Sequence, residues 1–588
     1  MNRFFSSLTT NHFDLLIVGG GIYGAWTAYD AALRGLKVAV VEQGDWAGAT
    51  SSASSKLIHG GLRYLETYDF RLVRKALRER QMLLEAAPHR VWPLRFGVPV
   101  YADSRIGTVQ LMAGLTLYDF LAGGLNTEMS HRHFDADSFA ERFPFLDTEK
   151  LHGGFTYADA QTDDARLVLE LIDGAMAAGA VCVNYCKLTG FLEADGKVMG
   201  ATVQDQVDDG SAEIFAKQIV NATGQWTAAT EEGKGWCRLT KGVHLLLPAT
   251  LGEEALLLTA KSDGRVFFMI PWYGLTLIGT TDTDYRGDTN HVAVEEADVD
   301  YLLAEANAYL KTALTKADII GSYAGVRVMK HDDKTSPSAA SRDWELKTAS
   351  NGVHYSVGGK ITSAREDAAH IVNTVCAHLG AKVPCPTKGK KFPWAPDGDY
   401  STWCLAANVQ AKQFNVDEES AKWLIRRHGK RVNEIFRIIE DEAASQATKP
   451  PNDGDQVAGY SHLTKLPKNG SKSLVNGKRV SEIFHSIDSN PEMAERIMPK
   501  LPFIYADLLW SARDEMVVHL DDLLRRRMPL MILAKLAEND VRRIADSVAA
   551  TLGWDEARIA SEIEAVRVNL EFFPSLQLSP QRERGLSK

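Results

Sequence analysis

Residues 14–42 restrict this chain more than any other stretch. Asp14-Leu15-Leu16-Ile17-Val18 is an apolar run, Gly19-Gly20-Gly21-Ile22-Tyr23-Gly24 follows at once, residues 25–33 have helical character, and a second apolar run over 37–41 ends at Glu42. Strand, glycine turn, helix and parallel strand together make the βαβ unit of a dinucleotide-binding sheet. Gly19, Gly21 and Gly24 match G-x-G-x-x-G, where missing Cβ atoms let the backbone turn tightly and approach a pyrophosphate at the helix N-terminus. Glu42, 18 residues beyond Gly24, sets a carboxylate where ribose hydroxyls can donate to it. An acid there favours an unphosphorylated ribose, so NAD or FAD is preferred to NADP, and the motif leaves those two open.

The whole chain of 588 residues offers material for two or three domains. Its net charge of -10 argues against nucleic acid as a main partner, because such proteins gather phosphate-neutralising Lys and Arg over a broad face. Six cysteines, Cys182, Cys186, Cys237, Cys376, Cys385 and Cys404, contain no C-x-x-C pair and point to reduced thiols on the cytosolic side. No cluster has metal-ligand spacing, and no metal is expected. The first residues lack the apolar core of a secretory signal. The nearest approach to a membrane span, 106–124, carries Gln110 and Asp119, which suits lying in a membrane surface without crossing it.

Further along, a run over 214–220 leads to Asn221-Ala222-Thr223-Gly224, and 354–357 leads to Gly358-Gly359-Lys360. Both read as strands returning to the first sheet. Strand-like runs at 255–259, 265–271 and 275–281 imply a second sheet. From about 401 the periodicity becomes helical, at 418–427, 432–443 and from 511 onward, with the Pro- and Lys-containing stretch 444–490 as an exposed insertion.

One segment is far longer than a motif. Thr50-Ser51-Ser52-Ala53-Ser54-Ser55-Lys56-Leu57-Ile58-His59-Gly60-Gly61-Leu62-Arg63-Tyr64-Leu65-Glu66 closely resembles the signature of FAD-dependent glycerol-3-phosphate dehydrogenases, and Ala86-Ala87-Pro88-His89 and Asp163-Asp164-Ala165-Arg166-Leu167-Val168 are also similar to that family. The resemblance implies an α/β fold: an FAD-binding Rossmann-like domain (about 13–90, 150–225 and 350–385) interleaved with an antiparallel-sheet substrate domain (about 91–149 and 226–349) within 13–400, and a C-terminal helical domain over 401–588. It selects FAD as cofactor. It implies oxidation of sn-glycerol 3-phosphate to dihydroxyacetone phosphate, with quinone as acceptor, at the cytoplasmic face of the inner membrane, to which the protein is peripherally bound; a soluble form and a homodimer stay open.

A phosphomonoester needs guanidinium or ammonium groups, and the resemblance assigns Arg63, Tyr64, Arg327, Arg342 and Lys360 to the substrate. His244 is the expected general base, with a bystander role of orienting substrate as the alternative. Lys360 could also offset charge on the reduced flavin. For FAD, the expected contacts are Gly19, Gly21 and Gly24 at the pyrophosphate, Glu42 at the ribose, Ser51, Ser52, Ser54, Lys56 and Leu57 along the flavin side, and Thr281, Asp282 and Gly359 nearby. The chain departs from the family pattern at Tyr23 and Trp26, bulky where small residues are usual, and at Val328-Met329-Lys330.

An oxidase yielding hydrogen peroxide, a dehydrogenase of a longer polyol phosphate such as erythritol phosphate, and a catalytically silent FAD-fold interaction module are the competing readings. Arg525-Arg526-Arg527 and the group Lys422, Arg426, Arg427, Lys430 and Arg431 are expected on solvated helix faces or against anionic lipid.

Overall fold

The computed structural model describes residues 1–66, 68–124, 128–249, 251–331, 343–447 and 493–572. Arg342 and residues 448–490 of the expected insertion lie outside them.

The chain builds its first sheet from three separated stretches. Strand β1 (Phe13–Val18) runs into helix α1 (Ile22–Leu33) and returns as β2 (Val38–Val41), parallel to β1. On its other side β1 pairs in parallel with Ser211–Asn221, which in turn pairs with His354–Val357. Beyond β2 lies Val181–Val183. The continuous apolar runs follow from position: these parallel strands are buried on both faces, so every other residue cannot be polar.

A ten-stranded, largely antiparallel sheet forms the second layer, with Cys237–Leu247 paired to both Leu275–Gly279 and Gly321–Lys330. Leu151–Thr162 belongs to this second sheet, paired along Val91–Tyr101. The return to the nucleotide-binding side after 150 therefore begins with the following helix, Asp164–Ala177.

From 400 onward the described chain is helical. Asp399 and Asp417 cap the first two helices, accepting from Thr402 N and Ser420 N. The stretch after 511 is not one long helix. A five-residue π-helical turn, Leu523–Arg527, is followed by Pro529, which interrupts the run, and the left-handed Gly553 ends Glu538–Leu552. The helices share a core with the second sheet, where Tyr273 and Trp423 stack with ring centroids 3.7 Å apart.

Most of the basic residues expected on solvated faces are packed inside. Arg426 lies 4.1 Å over Trp92, Arg431 sits between Trp394 and Trp510, and Arg427 is buried in an ion pair with Asp507. Arg526 and Arg527 are buried on Asp45. Their partners are aromatic rings and carboxylates outside the local charge run, which that run cannot reveal. Lys422 and Lys430 remain exposed. The two bulky departures are also used: Trp26 packs edge-on to Phe392, and Tyr23 Oη donates to Asp367 at 2.9 Å while accepting from Lys360 N at 3.0 Å.

Candidate active site

A cavity of about 400 Å³ opens where the carboxyl ends of β1 and β2 meet the second sheet. The glycine turn forms one wall. Gly19 is left-handed at φ +111°, and a Cβ there would lie 2.6 Å from Ala222 O; one on Gly24 would lie 1.9 Å from Gly19 O. Only glycine permits that approach of helix to strand. Gly19, Gly21 and Ile22 line the cavity, so the N-terminus of α1 opens onto it, and Ser51 Oγ accepts from Ile22 N at 2.9 Å. Gly24 lies behind this wall.

Glu42 also lines the cavity. Its carboxylate accepts from Gly20 N at 2.6 Å and Gly44 N at 2.9 Å. Burial pushes its pKa up, opposed by those two N–H donors and by Arg526. A helix N-terminus for a pyrophosphate, a carboxylate at the end of β2 for a ribose, and apolar walls from Leu57 and Ile22 fit an FAD molecule.

The second sheet supplies the other wall. His244, on Cys237–Leu247, is flanked by Gly279 and Tyr323 on its two neighbouring strands and stacks on the Tyr323 ring at 4.8 Å. Its Nε2 lies 2.8 Å from Ser55 Oγ. Burial first, then the charges of Arg327 and Lys56, hold its pKa well below 6.5, so the imidazole is neutral at physiological pH. Arg327 is locked before any ligand arrives: it donates to Asp282 Oδ1 at 2.8 Å, Thr280 Oγ1 at 2.6 Å and Thr281 O at 2.9 Å. Its guanidinium crosses Gly242, where a Cβ would stand 2.2 Å from Arg327 Nη2.

Of the residues expected to contact substrate or cofactor, Gly19, Gly21, Glu42, Ser51, Ser54, Leu57, Tyr64, His244, Arg327, Gly359 and Lys360 line this one cavity. Lys360 Nζ lies 3.7 Å over the Tyr64 ring. Others stand behind the wall. Lys56 is buried, paired with Asp164 at 2.6 Å and bonded to Ser52 O at 2.7 Å. Ser52 Oγ bonds Ala49 O. Thr281 and Asp282 buttress Arg327, and Thr281 Oγ1 also accepts from Val243 N. Arg63 lines a second cavity, with Leu62, Leu65, Ile106 and Leu117. The expectation missed Ser55, Tyr323 and Asp164. Ser55 and Asp164 lie inside the quoted segments, but only the fold brings Ser55 to His244 and Asp164 to Ser54 and Lys56.

A dinucleotide cradle joined to a basic, histidine-bearing pocket defines a dinucleotide-dependent oxidoreductase. The profile of the FAD dependent oxidoreductase family matches residues 14–365, and that of the C-terminal domain of alpha-glycerophosphate oxidase matches 454–559. The aerobic glycerol-3-phosphate dehydrogenase of Bacillus subtilis is 35% identical over 464 residues, 76% of this chain and 83% of that protein. The glycerol-3-phosphate dehydrogenase of Synechocystis is 31% identical over 97% of this chain and 98% of its own. The crystal structure of the glycerol-3-phosphate dehydrogenase from Bacillus halodurans complexed with FAD superposes with a TM-score of 0.73 at 25% identity, covering 98% of both chains. The chain belongs to the FAD-dependent glycerol-3-phosphate dehydrogenase family, and its cofactor is FAD.

Proposed function

We propose that this protein oxidises sn-glycerol 3-phosphate to dihydroxyacetone phosphate and passes the electrons to quinone. The observation that carries this reading is the convergence of Arg327, Lys360 and a neutral His244 on the cavity that also contains the dinucleotide cradle. A phosphomonoester carries nearly two negative charges near neutral pH. Arg327, already fixed by Thr280, Thr281 and Asp282, loses little freedom on meeting such a group, and Lys360 adds a second cation.

Bound FAD supplies the hydride acceptor. His244 takes the hydroxyl proton: its neutral form is the one that can accept it, and Ser55 and Tyr323 hold the ring in place. Gly21, Ser51 and Glu42 hold the dinucleotide end.

Contact with a membrane surface is supported by helix Thr108–Ala122, which leaves Val109 83% and Phe120 69% exposed, beside Tyr68 at 78%. Among the described residues no helix is long and apolar enough to cross a bilayer. Peripheral attachment to the cytoplasmic face of the inner membrane accommodates both facts.

Anaerobic mixing of the holoprotein with glycerol 3-phosphate tests the reading. Bleaching of the flavin, followed by recolouring on addition of quinone, is expected. No bleaching by glycerol 3-phosphate or by erythritol phosphate removes the proposed chemistry, and stoichiometric peroxide in air that quinone does not suppress reassigns the acceptor to oxygen.

A further inference from the structure

We propose that the C-terminal helical region retains the cofactor from behind: Arg526 and Arg527 fix Asp45, and with it the 42–48 loop, and so act as positioning residues for FAD binding. The loop has two sides. Glu42, Gln43 and Gly48 line the cavity, whereas Asp45 and Trp46 are buried against the C-terminal helices. Trp46 lies on the glycine turn, its ring so close that a Cβ on Gly20 would come within 2.4 Å, and its Nε1 donates to Met516 Sδ at 3.4 Å. Ala47 N donates to Gly20 O at 3.1 Å, so loop and turn move together.

Asp45 is the anchor. Its carboxylate accepts from Arg526 Nε at 2.5 Å, from Arg527 Nη1, from Arg527 Nη2 at 3.0 Å and from Asn184 Nδ2 at 3.4 Å. Arg527 Nη2 is itself held by Glu515 O at 2.7 Å, and Arg526 Nη2 by Asp522 Oδ1 at 2.7 Å. Consecutive residues of an ordinary helix project about 100° apart and do not meet on one carboxylate easily. Here both belong to the π-helical turn Leu523–Arg527, a departure from regular helix that recurs at functional sites. Among the described residues none beyond Thr362 lines the cavity, so the hold of this region on FAD is indirect, and the loop is the element that touches both. A buried carboxylate stripped of its guanidinium partners is an uncompensated charge, and the loop must shift to rehydrate it.

Loss of FAD from purified holoprotein, read as the growth of free-flavin fluorescence after dilution, tests this without any substrate. Asp45→Asn and Arg527→Met should each speed release by about tenfold or more, and the double variant should be no faster than the worse single one, because both remove the same contact. Glu515→Gln serves as control. Its side chain pairs with Arg166 at 2.6 Å in the same region without touching the 42–48 loop, and release should stay within about threefold of the parent. Unchanged release from Asp45→Asn, or equal acceleration by Glu515→Gln, overturns the proposal. Should the variants fail to fold, the parent chain still decides: coupling is reciprocal, so adding FAD to apoprotein must slow amide exchange over 520–530 as well as over 42–48. Exchange at 520–530 that ignores FAD refutes it.

Discussion

Arg327→Ala is the substitution whose outcome the geometry specifies most fully. The guanidinium is fixed by three donated hydrogen bonds, to Asp282, Thr280 and Thr281, and its side chain is 22% exposed, toward a cavity it shares with His244 and Lys360. A charge-assisted contact to a phosphate contributes about 1.5–3 kcal/mol, which is about a 10- to 150-fold rise in KM for glycerol 3-phosphate. A second effect acts on the proton step. Burial is the main cause of the depressed pKa of His244, but Arg327 is the larger of the two charges adding to it. A group whose pKa is lowered stays neutral as pH falls until that lowered value is reached. Removing the cation therefore moves the acid limb of kcat upward, toward the ordinary imidazole range. The profile is taken from kcat because the phosphate's own ionisation, near pH 6, enters kcat/KM. Arg327→Lys keeps the charge and loses the fork, so it should raise KM by less and leave the acid limb near its original place. Steady-state kinetics from pH 5 to 8 with FAD saturating provides the check. An Arg327→Ala variant with unaltered KM and an unmoved acid limb refutes the assignment of this residue to the substrate pocket.

His244→Ala should lower kcat by about 100-fold or more if the ring takes the proton, with a smaller change in KM; turnover within a few-fold of the parent across pH would leave His244 an orienting role only. Gly24→Ala should yield protein that is largely colourless, because its Cβ would stand 1.9 Å from the Gly19 carbonyl and neither backbone can yield; the ratio of flavin to protein absorbance after reconstitution measures this, and full loading would contradict it. Acid should destabilise the fold over a defined window. Glu170 and Glu515 are buried, which alone would raise their pKa values, yet His89 and Arg90 around the one and Arg166 around the other hold both at about 2. Depressed carboxylates contribute stability above their unfolded values and lose it as pH falls through the folded ones, so the melting temperature should drop between about pH 4.5 and 2; a flat Tm there would rule out these pairs as stabilising.

Local geometry was legible and long-range partnership was not. The strand, turn and helix from 13 to 33 could be read because their pattern is dictated by residues adjacent in the chain: apolar runs for buried parallel strands and glycines where backbone meets backbone. Strands Ala255–Thr259 and His354–Val357 fell at their expected limits for the same reason. Leu151–Thr162 looked like part of the nucleotide-binding half, and only its pairing with Val91–Tyr101 places it in the other sheet. The basic residues around 425 and 525 misled more deeply. Arg427 and Arg527 look solvated in a linear reading because Asp507 and Asp45 are 80 and 482 residues away. Ser55 lies inside the signature segment but is not singled out by it: a serine among serines becomes a histidine's neighbour only when a 189-residue loop closes.

The nucleotide-binding sheet is finished late. β1 needs the strand ending at Asn221 on one side, and that strand needs His354–Val357 on its own far edge. During synthesis the first third of the chain therefore emerges from the ribosome with one side of β1 still unpaired, and loop closure over such spans is slow. Nascent chains stalled before about residue 357 carry the glycine turn on a sheet whose far edge is still open, and should depend on chaperones and take up the vitamin-derived cofactor poorly until the last strand is threaded into place.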